Sequence, residues 1–513
     1  MPRWFNTAGP CQPDIHYMLP SLERLPGLER LIAQRGYFVI HAPRQTGKTT
    51  AMLTLAQQLT AQGQYTALLV SAEVGAAYSQ MPEKAEAAML QAWQDAASFW
   101  LPSALQPPDW LGCRSIGHAL KRWAEASPRP VVLFIDEIDA LQDDALIAVL
   151  RQLRDGYPRR PTGFPQSLAL IGLRDVRDYK VAAGGSNRLG TASPFNIKIE
   201  SLTLRNFTLA EVASLYGQHT AETGQVFTPA AVQRSYELTQ GQPWLVNALA
   251  RQMVEQLVPD ATQPLTPAHV EQAKELLIQR QDTHLDSLAE RLRDPRVRAI
   301  VEPMLAGQAL GNVPNEDIQF VQDLGLCVMS PQGGLVIANP IYREVLPRVL
   351  ATAPIASLPQ IAPTWLTSSG ELDTDALLQA FLAFWQQHGE PLLGSAPYHE
   401  IAPHLVLMAF LHRVVNGGGS LEREYAIGAG RMDLCLRYGS TVLGIEVKVW
   451  RDGRPDPLPA GLEQLEGYLA RLGLETGWLA IFDRRSGLPP IAERTTAQQA
   501  QTPQGRWVTV VRG

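Results

Sequence analysis

Ala42-Pro43-Arg44-Gln45-Thr46-Gly47-Lys48-Thr49-Thr50 is the stretch from which the rest of the chain can be read. It follows the apolar run Tyr37-Phe38-Val39-Ile40 and precedes Met52, Leu55, Ala56 and Leu59, which recur at helical spacing. A buried strand, a tight loop and a helix are therefore expected. Gly47 lets the backbone approach an anion closely, and the N–H groups of the first helical turn converge on that point. Lys48 adds a charge that reaches phosphates, and the Thr49 hydroxyl supplies a hard oxygen for Mg²⁺. A small residue, four variable positions and Gly-Lys-Thr make a phosphate-binding loop, with Ala42 standing where glycine is commonest.

Such a loop needs an acidic partner at the edge of a neighbouring strand. Val131-Val132-Leu133-Phe134-Ile135-Asp136-Glu137 supplies one. Asp136 is placed to hold the magnesium shell, and Glu137 to orient or deprotonate an attacking water. Asp139 fits either a helix cap or a further polar contact. Thr66 to Ser71 and Leu168 to Leu173 are two more short apolar runs, so the four together predict a buried parallel sheet with helices on both faces. ATP and Mg²⁺ are the implied cofactors.

At 513 residues the chain exceeds one hydrophobic core, and two to four domains are expected. The net charge of -6 argues against a protein coated in positive potential. Arg484, Arg485, Arg494, Arg506 and Arg512 could still form a local basic surface, or be scattered and solvated. Cys11, Cys113, Cys327 and Cys435 match neither a zinc pattern nor a disulfide framework and read as reduced thiols. The N-terminus lacks a signal-peptide pattern, and no apolar run reaches the roughly 18 residues that span a membrane. A cytoplasmic protein with no membrane partner is expected, and a homo-oligomer is left open.

The pattern along the chain divides it. Residues 1–200 hold the nucleotide core, and 201–290 read as a helical lid broken at Thr228-Pro229 and Gly241-Gln242-Pro243, with no strand after Ile199. Residues 291–350 suit a winged helix, with a Gly333-Gly334 turn between two short strand-like runs. The prolines, serines and glycine of 351–373 read as a linker. Residues 374–513 return to an α/β pattern.

Through residue 350 the chain resembles the AAA-like ATPases related to the STAND class of signalling NTPases. The resemblance rests on the loop, on the acidic strand, on Leu168-Ala-Leu-Ile-Gly-Leu-Arg174 and on Gly241-Gln242-Pro243. It implies that Arg174 faces the γ-phosphate as a sensor and that Pro243 contacts the nucleotide from the lid. Arg174 is also readable as a surface arginine paired with Asp175 or Asp178, and Pro243 as a helix breaker. Arg188, in Ala183-Gly-Gly-Ser-Asn-Arg188, fits an exposed loop better than an arginine finger.

Two C-terminal strands carry a second constellation. In Arg431-Met-Asp-Leu-Cys-Leu-Arg437 the apolar Met432, Leu434 and Leu436 share a face and leave Asp433 on the other. In Gly444-Ile-Glu-Val-Lys-Val-Trp450 the same alternation sets Glu446 and Lys448 opposite Ile445, Val447 and Val449. Carboxylates on adjacent strands can share a hard metal ion, and a lysine two residues on would stand beside an attacking water. Asp433 with Glu446-Val447-Lys448 resembles the PD-(D/E)xK nuclease superfamily, the restriction-endonuclease-like fold, with Met432 where that pattern has proline. The resemblance implies Glu400 as a helix-borne third metal ligand, and Gln464 with Tyr468 as a Gln-x-x-x-Tyr element on the next helix. A Glu-x-Lys on a strand is by itself commonly a solvated ion pair.

The fold class expected is α/β throughout: a P-loop NTPase parallel sheet with a helical lid and winged helix, plus a restriction-endonuclease-like domain. The function expected is an ATPase controlling a metal-dependent DNA endonuclease, with defence against foreign DNA suggested by analogy of architecture alone. The competing class is a signalling or nucleic-acid-binding ATPase whose nuclease-like domain binds without cutting. A DNA-remodelling motor ranks last, since helicase motifs and a second nucleotide core are missing.

Overall fold

The computed structural model describes residues 3–110, 112–174, 195, 197–280, 288, 290–305, 310–357, 363–395, 402–415, 419–427 and 430–513. The chain divides into two compact units, Met1–His284 with Ile318–Pro340, and Leu285–Asp317 with Ile341–Gly513.

The first unit is built on five strands: β1 (Tyr37–His41), β2 (Thr66–Ser71), β3 (Val131–Asp136), β4 (Ser167–Gly172) and β5 (Glu200–Thr203). They lie in the order β2-β3-β4-β1-β5, all parallel. A parallel sheet needs crossover helices, which then cover both faces, and this explains why β1, β3 and β4 read as unbroken apolar runs. Alternate residues pack to opposite sides. Val39, Leu133 and Leu170 meet Met89 and Trp93 of α3 (Pro82–Trp100), Trp123 of α4 (Ile116–Ala126) and Val149 of α5 (Asp143–Gly156). Phe38, Ile40, Phe134 and Ile171 meet Leu31 of α1 (Leu28–Ala33) and Met52 and Leu55 of α2 (Lys48–Ala61). Each such side chain contributes about 1.5–3 kcal/mol when fully buried, so the strand positions are fixed from both faces.

Strand β5 corrects the expectation that strands end at Ile199. It pairs with β1 from Phe38↔Glu200 to His41↔Thr203. As a short edge strand with Glu200, Ser201 and Thr203 only partly covered, it has no apolar run to betray it.

The lid follows as α6 (Leu209–Thr223), α7 (Pro229–Thr239), α8 (Pro243–Gln252) and α9 (Pro267–Arg280). A capping box between Thr208 and Glu211 starts α6, and prolines at the first position, after caps from Thr228 and Gln242, start α7 and α8. The expected strand pair near Gly333-Gly334 is present as β6 (Cys327–Met329) and β7 (Leu335–Ile337), antiparallel, with both glycines at positive φ. It belongs to the first unit, whereas α10 (Pro295–Leu305) belongs to the second.

In the second unit α12 (Pro340–Ser357) is followed by α13 (Thr374–Ser395) and α14 (Ala402–Val415), with α11 (Asn315–Asp323) lying across the unit boundary. Helix α12 runs through Pro354 to Ser357, and Trp365 and Leu372 bury in the core of this unit. Strands β8 (Gly419–Ile427), β9 (Gly430–Tyr438) and β10 (Thr441–Trp450) form an antiparallel meander. Helix α15 (Leu458–Leu472) then crosses to β11 (Gly477–Asp483), which runs parallel to β10. Strands β12 (Thr496–Gln501) and β13 (Trp507–Arg512) complete the order β12-β13-β11-β10-β9-β8. Phe381, Trp385 and Phe410 of α13 and α14 cover one face against Leu434, Ile445 and Val447. Leu465 and Leu469 of α15 cover the other against Leu479 and Ile481.

No described helix is long and apolar enough to cross a membrane. No described cysteine is in a disulfide; Cys327 and Cys435 are buried, while Cys11 and Cys113 are half-buried.

Candidate functional sites

The loop between β1 and α2 has the conformation its residues predict. Gln45 and Gly47 take positive φ, and Gly47 caps α2 so that the helix N-terminus opens into the loop. The Lys48 ammonium donates to the Ala42 carbonyl at 2.8 Å and the Pro43 carbonyl at 3.0 Å, and burial lowers its pKa. Thr46 closes the turn by donating to the Pro43 carbonyl at 2.9 Å. At the end of β3, Asp136 accepts from the Thr49 hydroxyl at 2.6 Å. Two hard oxygens thus meet beside the loop, which is the donor set that Mg²⁺ with a nucleotide phosphate requires. Burial raises the Asp136 carboxyl, and burial together with Asp139 and Asp136 raises that of Glu137. Glu137 sits at φ 53° and lines the same cavity as the loop. Asp139 makes the polar contact, accepting from the Leu173 backbone at 3.3 Å.

A cavity of about 370 Å³ runs from Arg44, Gln45, Thr46, Gly47, Lys48, Thr49 and Thr50 to the lid, where Pro243 lines it. Residues Asn6 to Cys11 form part of its wall, which motif reading missed. This N-terminal arm is tied at both ends. The Cys11 backbone donates to the Thr50 hydroxyl at 3.0 Å, and the Thr7 carbonyl accepts from the Trp244 indole at 2.8 Å. The only local sign is the aromatic set Trp4, Phe5 and Tyr17, of which Phe5 and Tyr17 bury against Tyr216 and His219 of α6. Arg24 adds a second tie. Its guanidinium donates to the Thr46 carbonyl at 2.8 Å and to the Arg205 carbonyl, lies over Phe207, and is pushed down to about 10 by burial.

Gly241 is the lid residue with no substitute. Its φ is 70°, and a Cβ there would fall 1.9 Å from the Phe207 carbonyl oxygen. The pair is locked by the Phe207 N–H donating to the Gly241 carbonyl at 2.8 Å. Gly241→Ala is expected to cost at least about 3 kcal/mol, since it adds a backbone clash to a disfavoured φ. A urea unfolding curve with an unchanged midpoint would refute this.

Arg174 does not line the cavity; its guanidinium stands over the Phe320 ring, 4.2 Å from the centroid. Arg188 lies outside the described residues.

In the second unit the meander brings Asp433 and Glu446 onto neighbouring strands. Asp433 accepts from the Val447 backbone at 2.8 Å. Glu446 is 2% exposed; one oxygen accepts from Lys448 at 2.6 Å, and Oε2 is buried with no partner among the described residues. Burial, then the Asp433 charge, pushes its carboxyl up to about 7. An orphaned carboxylate oxygen beside a second acid fits a hard cation. Tyr468 of α15 senses the same charges, being raised by burial, Glu446 and Asp433, while Gln464 is exposed. Glu400 lies outside the described residues. The C-terminal arginines are engaged: Arg485 with Asp483, Arg506 with Glu466 and Arg512 with Asp456.

The Glu446 shift makes a stability prediction. A carboxyl raised from 4.5 to about 7 contributes stability that is present below 4.5 and lost as pH rises through 7. Glu446→Gln is therefore expected to raise the melting temperature of the metal-free protein at pH 8 by about 5 °C. At pH 5 the difference should shrink. A variant less stable at pH 8 would show instead that the Lys448 pair fully compensates the buried charge.

No curated protein matches the chain. Among solved structures it is similar to a Walker-type ATPase of Pyrococcus abyssi, at 12% identity over 67% of this chain and 99% of that one, with a TM-score of 0.47. It is also similar to RuvB of Thermotoga maritima, at 16% identity over 62% and 90%, with a TM-score of 0.35. The ORC2 protein of Aeropyrum pernix is a third, at 15% identity over 64% and 92%, with a TM-score of 0.37. Residues 32–179 match the family described as AAA domain. That span holds the loop, Asp136 and four of the five strands, and it is an AAA-like P-loop ATPase domain.

Proposed function

We propose that the chain is an ATP-regulated, metal-dependent DNA nuclease, in which the nucleotide state of the first unit controls phosphodiester cleavage by the second. One observation carries the nuclease half: the buried Glu446, with one oxygen on Lys448 and the other without a partner among the described residues, on the strand beside Asp433. The succession of helix, three antiparallel strands, crossover helix and parallel strand from α14 to β11 supports this reading. Asp433 and Glu446, with Glu400 as the third ligand, would hold a magnesium ion that charges the scissile phosphate and acidifies a water. Lys448 would orient the nucleophile and meet developing negative charge.

In the first unit Lys48 and the loop N–H groups would bind the ATP phosphates, with Thr49 and Asp136 on Mg²⁺ and Glu137 orienting the hydrolytic water. Arg174 and Pro243 would carry the signal. An arginine that trades the Phe320 ring for a γ-phosphate has two defined positions, and Pro243 starts the lid helix that lines the cavity. A role in defence against foreign DNA is part of this reading, by architecture.

A second reading, a nuclease-like domain that binds DNA without cutting, is favoured by the 2.6 Å ion pair between Lys448 and Glu446, which engages both groups with each other. Incubating the purified protein with plasmid DNA in Mg²⁺ or Mn²⁺, against EDTA, separates the two. Metal-dependent cleavage selects the first reading, retention of DNA without cleavage selects the second, and neither outcome would remove both.

A further inference from the structure

The lid wall of the cavity holds a side chain with an unused hydrogen-bond acceptor. Asn247 lies on α8, four residues after Pro243, and lines the cavity with Pro243 and Trp244 while only 8% exposed. Its amide nitrogen donates to the Pro243 carbonyl at 2.8 Å. That contact fixes the amide orientation, because the opposite flip would set two carbonyl oxygens against each other. The other end, Oδ1, is buried and has no hydrogen-bond partner among the described residues. Folded proteins seldom keep such an acceptor unless a ligand or a water satisfies it.

The cavity is chemically two-ended. Its loop side offers Lys48, Thr49 and the helix N-terminus, which suit phosphates. Its lid and arm side offers Tyr17, Met18, Leu215 and Trp244, which suit a flat base. Asn247 stands on the base side, and an unpaired amide oxygen there wants an N–H donor from that base. Trp244 is pinned through its indole to the Thr7 carbonyl, so this wall is held in place.

We propose that Asn247 reads the base: its Oδ1 accepts the exocyclic amino group at the six-position of adenine, making the site selective for ATP. The inference rests on this cavity being the nucleotide site. Guanine presents a carbonyl oxygen at that position, which would face Oδ1 acceptor to acceptor, and unsubstituted purine presents no donor.

The test is calorimetric titration of the wild-type protein with ATP, purine riboside triphosphate and GTP, repeated on Asn247→Leu. Wild type should bind purine riboside triphosphate about tenfold more weakly than ATP, and GTP more weakly still. Asn247→Leu should bind ATP and the purine analogue within about twofold of each other. Equal wild-type affinities for ATP and the analogue, or an undiminished preference in Asn247→Leu, would overturn the proposal. The wild-type comparison decides the matter even if the variant does not fold. Equal binding of all three triphosphates removes Asn247 as the selector and leaves the cavity assignment standing. Failure of every triphosphate to bind removes both.

Discussion

Glu446→Ala and Lys448→Ala are each expected to lower metal-dependent DNA cleavage by about 100- to 1,000-fold, the loss typical of removing one preorganised group that faces developing charge. The two variants should fail differently. Glu446 is the buried carboxylate whose second oxygen has no partner among the described residues, so its removal should also abolish the thermal stabilisation expected from Mg²⁺ or Mn²⁺. Lys448 is partly exposed and touches Glu446 at 2.6 Å, so Lys448→Ala should keep that stabilisation while losing turnover. The split is read by pairing a cleavage time course with a melting scan in EDTA and in metal. Cleavage that survives both substitutions would place the chemistry elsewhere.

The second large effect is at the loop. Lys48→Ala is expected to weaken ATP binding by about 100-fold or more, because an ammonium shared between two phosphates makes charge-assisted bonds worth about 1.5–3 kcal/mol each. In the structure that ammonium is held over the loop by the Ala42 and Pro43 carbonyls, so it is already positioned for the phosphates. Titration with ATP measures the loss, and a melting temperature within a few degrees of wild type shows that the fold is kept. Binding that is unchanged in Lys48→Ala would mean the nucleotide does not use this loop.

What could be read in advance was what short spacing determines. Gly-Lys-Thr after one strand and Asp136 at the end of another were legible from spacing, and the fold joins them by a 2.6 Å hydrogen bond from the Thr49 hydroxyl to Asp136. Alternation on β9 and β10 correctly put Glu446 opposite the apolar core face, because a strand has only two faces. Long-range features left no such trace. The arm from Asn6 to Cys11 becomes a cavity wall through hydrogen bonds to Thr50, Trp244 and Arg251, and neither end carries a motif. Arg174 was legible as a cation after a strand, but its neighbour Phe320 comes from α11, far along the chain. The orphaned oxygens of Asn247 and Glu446 are properties of packing, and no pattern of residue types encodes them.

The central claim joins the two units, and one measurement addresses it: the rate of plasmid cleavage in Mg²⁺, with and without ATP, for wild type and Lys48→Ala. The account predicts that ATP changes the wild-type rate and leaves the Lys48→Ala rate unchanged. A wild-type rate indifferent to ATP, or a full ATP response retained in Lys48→Ala, would contradict it.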